Sequence, residues 1–120
     1  MNNDHTIHDF DPRSPVTDVS HARSIAERLV SAAGLSDRVE YREESAPPAL
    51  SIGGPDGFGF FGTTAFRWVK LALPTTPRAL AIAVARHMVG EYWATDDEIA
   101  QSHAELPLAL VIAMGVTSSP

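Results

Sequence analysis

The sequence predicts an α+β fold: an N-terminal helix, a four-stranded antiparallel meander, then two or three C-terminal helices packed on one face of the sheet. Three observations carry this reading. The stretch Leu50–Leu73 alternates in hydropathy and is punctuated by glycine-rich turns. Four of the five phenylalanines and one of the two tryptophans fall between residues 58 and 68, which places the expected core at the sheet. Helical apolar spacing flanks the stretch on both sides.

Taken in order, residues 1–15 are polar except for Ile7 and Phe10 and read as a flexible tail. The first helix is expected from Asp18 to Ala33, with Thr17 as its cap. Ala22, Ile25, Ala26, Leu29 and Ala33 form its apolar stripe, and Gly34 ends it. Four strands follow, at 38–44, 49–53, 57–62 and 65–73. Val39 and Tyr41 alternate with charged neighbours in the first, as in a half-exposed edge strand. Gly53-Gly54-Pro55-Asp56-Gly57 and Gly62-Thr63-Thr64 supply the reversals. In the last strand Arg67, Val69, Leu71 and Leu73 share one face; Phe66, Trp68, Lys70 and Ala72 share the other.

Pro74 ends the sheet, Thr76 is positioned to cap a second helix, and Pro77 suits its first turn. From Arg78 to Ala94 apolar residues surround most of the cylinder, so this helix is expected to be buried on more than one side. Thr95-Asp96-Asp97-Glu98 has capping-box spacing and opens a short helix to about Ala104. A last element runs from Pro107 to Met114. Helix is the reading there, with strand as its competitor because Leu110-Val111-Ile112 tolerates either. The domain therefore spans 16–116, with 117–120 frayed.

Composition narrows the function classes. At 120 residues the chain suits one domain. It has no cysteine, which excludes thiolate chemistry and disulfides. A formal charge of −6 argues against a nucleic-acid backbone binder. The longest apolar run, Leu106–Val116, is well short of the roughly 20 residues a membrane span needs, and no secretory leader is visible. A soluble, cytoplasmic protein is the expectation, with no nucleic-acid or membrane partner.

Catalytic and metal signatures are weak. His87 and Glu91 share a helix face, and with His103 they sketch a metal site, but the spacing matches no compact signature and no metal or other cofactor is assigned. The Gly53–Gly59 run lacks the Lys-Ser/Thr and following helix of a phosphate loop. No Gly-x-Ser-x-Gly elbow occurs, and Leu108–Met114 offers no side chain that could read DNA bases.

Three functional classes remain. The leading one is a small acidic, non-enzymatic protein-binding domain of chaperone, adaptor or inhibitor type. Its contact candidates are Tyr92, Trp93, Leu108, Val111 and Ile112. The second is a small enzyme or ligand binder with a pocket between sheet and second helix, for which Arg67, Trp68, His87 and Glu91 are the candidates. The third is a structural subunit that self-associates. The partner is thus another protein or a second copy.

Overall fold

The computed structural model describes residues 11–35, 37–55, 66–89, 94–101 and 106–115. Its element order is α1 (Val19–Ala32), β1 (Glu40–Ser45), β2 (Pro48–Pro55), β3 (Phe66–Ala72), α2 (Pro77–Val89), α3 (Asp96–Gln101) and α4 (Leu108–Met114). The fold class is α+β, with three antiparallel strands in the order β1-β2-β3 among the described residues. The fourth expected strand, at 57–62, lies outside the described residues. The stretch taken as a turn after Ile52 is instead strand as far as Pro55, because Gly53, Gly54 and Pro55 pair with Trp68, Arg67 and Phe66.

Helix α1 forms one residue inside its expected bounds at each end. Its cap is Asp18 rather than Thr17: the Asp18 carboxylate accepts from the His21 backbone N–H at 2.9 Å. The helix stops before Gly34, whose φ of +76° is a conformation that costs glycine little. Ala22, Ile25, Ala26, Leu29 and Val30 are buried along one stripe. At the outer surface Arg23 ties the helix to its own next turn and to β1, through Glu27 at 3.0 Å and Glu43 at 3.2 Å.

Register sorts the sheet into two faces. Tyr41, Ile52 and Val69 lie side by side on one, followed by Glu43, Leu50 and Leu71. Leu50 and Ile52 are fully buried there, with Val39, Tyr41, Val69, Leu71 and Leu73 packed around them. Helices α1 and α2 cover this face. The opposite face carries Glu40, Arg42 and Glu44 from β1, Ala49, Ser51 and Gly53 from β2, and Phe66, Trp68, Lys70 and Ala72 from β3. The alternation expected within 66–73 is therefore correct. Of the aromatic cluster expected to form the core, Phe66 and Trp68 stand on this outer face, and Phe58, Phe60 and Phe61 lie outside the described residues. Among the described residues the largest fully buried side chains are Leu29, Leu50, Ile52, Leu80, Ile82, Val84, Ile99, Leu110 and Met114.

Helix α2 is the centre of the helical layer. Residues Leu80–Ala85 are all buried, because α1, α3, α4 and the sheet each meet a different side of the cylinder. Thr76 caps it, accepting from the Ala79 N–H at 3.1 Å. The capping box of α3 also forms. Glu98 N–H donates to Thr95 Oγ1 at 3.1 Å, and Thr95 N–H donates to Glu98 Oε1 at 2.7 Å. Arg86 on α2 holds this entry, with its guanidinium on the Ala94 carbonyl and on Asp96 at 2.7 Å. Helix α4 settles the helix-or-strand question for 108–114 and seats Leu110, Val111, Ala113 and Met114 in the core.

Residues 11–16 lie against the link between β3 and α2. Val16 and Thr75 exchange backbone hydrogen bonds of 2.8 and 2.9 Å, and Arg78 N–H donates to the Pro12 carbonyl at 3.0 Å. Among the described residues no helix is long and apolar enough to cross a membrane.

Because α2 serves every layer, its N-terminal cap is expected to count toward global stability. Thr76→Ala should lower unfolding free energy by about 1 kcal/mol in urea titration, with no change in slope. A loss indistinguishable from zero would show that the Thr76–Ala79 bond is not maintained in solution.

Candidate interaction surface

The central strand β2 presents only small residues to the outer face, and long side chains from its neighbours roof it. Trp68 stands directly opposite Gly53 and lays its ring over that residue. A Cβ built at Gly53 would meet Trp68 Cε3 at 2.4 Å and Cδ2 at 2.5 Å. From the other side Arg42 reaches across β2 and places its guanidinium carbon 4.3 Å from the Trp68 ring centroid. The indole is thus held between backbone below and a cation beside it. Phe66 extends the aromatic surface, its ring centroid 6.2 Å from that of Trp68 and tilted by 34°. Phe66 is 41% exposed.

One step along the strands a second bridge repeats the pattern with charge. Lys70 on β3 pairs with Glu44 on β1 at 3.2 Å, spanning β2. Beneath it Ser51, only 3% exposed, donates to Glu44 Oε2 at 3.4 Å. Ala49 and Ser51, on the same face as these two cross-strand bridges, are buried although no described helix packs on this side.

Among the described residues expected to line a ligand pocket, Trp68 is separated from Arg67 and His87. Arg67 and Trp68 are neighbours on β3 and so point to opposite faces. His87 belongs to the helix-covered side. Its Nε2–H donates to the Ile52 carbonyl at 2.9 Å, joining α2 to the central strand. The imidazole packs on Gly54, where a Cβ would sit 3.4 Å from His87 Nδ1 and 3.1 Å from the Arg38 carbonyl oxygen. Register places Arg67 opposite the same glycine. The crevice lined by Leu35, Arg38, Val39 and His87 measures about 10 Å³, which is room for one water centre and for no organic substrate. Glu91, the fourth candidate, lies outside the described residues, as does His103. No group of three or more metal-ligating side chains occurs among the described residues.

Of the partner-contact candidates, Val111 is buried in the core at 7% exposure and Ile112 is half-buried. Leu108 is 71% exposed at the start of α4. Tyr92 and Trp93 lie outside the described residues. Sequence reasoning missed Arg42 and the aromatic role of Phe66. Glycine inside a strand was the available signal, since it marks a close approach by another group.

Two side chains show how burial acts on titration. Burial pushes the Tyr41 phenol up to about 12, the Glu27 carboxylate adds to this, and Arg23 opposes it. The Tyr41 hydroxyl has no hydrogen-bond partner among the described residues, and Arg23 lies 5.5 Å from its ring centroid. This tyrosine is a neutral packing residue. Burial also lowers His87 below its ordinary 6.5, and the bond to Ile52 offsets only part of that shift. Comparisons with family models, with curated proteins and with solved structures found no match to this chain.

Two outcomes follow. Gly53→Ala should cost about 1–3 kcal/mol, because the ring must lift from the strand. Most of that cost should vanish in a Trp68→Ala background, a coupling that a double-mutant cycle reads directly. Equal costs in both backgrounds would break the link between them. The second outcome concerns pH. His87 is neutral in the fold and binds a proton less readily than in the unfolded chain. Its contribution is therefore complete above about pH 6.5 and is lost as pH falls toward its depressed folded value. Urea stability should fall less steeply below that pH in His87→Gln than in the parent; identical slopes would refute the assignment.

Proposed function

We propose that the chain is a small acidic, non-enzymatic protein-binding domain that works through the face of its sheet that no described helix covers. One observation carries this reading: Phe66, Trp68 and Arg42 form an ordered, solvent-facing aromatic and cationic surface on a rigid three-stranded support. Aromatic residues and arginine are the types that dominate binding energy at protein interfaces, above all when their conformations are fixed beforehand. Here Gly53 below and Arg42 beside it restrain the Trp68 ring, so little side-chain freedom remains to be lost on contact.

The enzymatic alternative draws no support from the His87 crevice, which is too small for a substrate. Among the described residues the self-association alternative rests on Leu108 with the half-buried Ile112 one turn on. The test separates these surfaces. Affinity-tagged parent, Phe66→Asp and Leu108→Asp proteins are used for cross-linked capture from the native lysate, with solution mass measured in parallel. The expected outcome is a partner retained by Leu108→Asp and lost, by about tenfold or more, in Phe66→Asp. Loss in Leu108→Asp alone would move the contact surface to α4.

A further inference from the structure

The electrostatics of the outer face indicate the kind of segment it would receive, given that this face is the contact surface proposed above. It carries four charged side chains among the described residues: Glu40, Arg42, Glu44 and Lys70. Lys70 and Glu44 neutralise each other at 3.2 Å, and Ser51 adds a hydrogen bond to the carboxylate. Arg42 is different. It is exposed, forms no ion pair among the described residues, and is held by its stack on Trp68. Stacking occupies the flat side of a guanidinium and leaves its N–H edge available, a geometry suited to the two oxygens of a carboxylate. Next to it lies the exposed Phe66 ring.

We infer that this face binds a segment of a partner protein presenting one carboxylate beside a bulky apolar side chain, the carboxylate on the Arg42 edge and the apolar group on Phe66 and Trp68. Glu40 sits on the same face two residues before Arg42, and the chain as a whole carries a formal charge of −6. Both repel a run of acids. The fitting segment is therefore mainly apolar with a single acidic group, not an acidic tract.

The probe is a short blocked peptide, Ser-Glu-Phe-Leu-Ser, alongside versions with Gln or Lys replacing Glu. Each is titrated into the full ¹⁵N-labelled chain and followed by NMR. The expected result is shifts at the Trp68 indole N–H and at the Arg42 and Phe66 amides. The Glu peptide should bind at least about tenfold more tightly than the Gln peptide, with the gap shrinking in added salt. In Arg42→Gln, whose fold the same spectra report, the two peptides should bind alike. Equal binding of Glu and Gln peptides at this face in the parent would overturn the carboxylate assignment while leaving the face as a protein-binding surface. Preference for the Lys peptide would overturn it too. Absence of shifts at Arg42, Phe66 and Trp68 with all three peptides would overturn the inference, whereas the broader reading stands or falls on capture by Phe66→Asp.

Discussion

The register that sets Gly53 opposite Trp68 decides what each face of the sheet does. Once the indole lies flat over a residue without a side chain, the outer side of β2 needs no helix to cover it at that point. The ring itself excludes water from the strand. Arg42 then stacks on the ring, and the Glu44–Lys70 bridge covers the next small residues. A sheet roofed by its own side chains can leave one face to solvent and commit the other wholly to aliphatic packing. The described helices accordingly stand on one side only.

That one-sidedness explains the character of α2. A single face of a three-stranded sheet offers limited apolar area, so the helix resting on it must find further partners. It finds them in α1, α3 and α4, and its sequence from Leu80 to Ala85 is accordingly apolar at every position. Each large side chain enclosed there contributes roughly 1.5–3 kcal/mol, with Leu80, Ile82 and Val84 the largest in that run. His87 is placed where this layer ends. Its bond to Ile52 satisfies a polar group at the helix–sheet boundary, and the small residue Gly54 lets the ring approach. His87 is thus a fastening between two layers.

How much of this could be read beforehand depended on the range of the interaction. Local features were legible: the stop at Gly34, the cap at Thr76, the capping box at Thr95 and the alternation from Phe66 to Leu73. Each is decided by neighbours within a few residues. The outer placement of Phe66 and Trp68 was not legible, because clustered aromatics resemble a core when hydropathy is the sole measure. What distinguishes a roof from a core is the pairing of Gly53 with Trp68 and the reach of Arg42 across β2. Those relations connect residues that are far apart in the chain, and no periodicity records them. The glycines were taken as turn formers, although glycine within a strand also signals that something must come close.

The same geometry bears on the proposal of a binding surface. Catalysis needs groups that converge on a reacting atom within a space large enough to hold it. Of the described pocket candidates, Trp68 lies outside and Arg67 and His87 inside, with a crevice of about 10 Å³ beside His87. Recognition asks for less convergence and more rigidity. A restrained aromatic pair with a fixed guanidinium beside it meets that requirement, since the entropy of ordering those side chains is settled when the domain folds and not when a partner arrives. The cation–π contact does two things at once. It steadies the roof over β2, and it holds the N–H edge of Arg42 where an incoming carboxylate can meet it. Stability and recognition are then properties of one arrangement, so the residues that keep the outer face ordered are also those that would give it a preference.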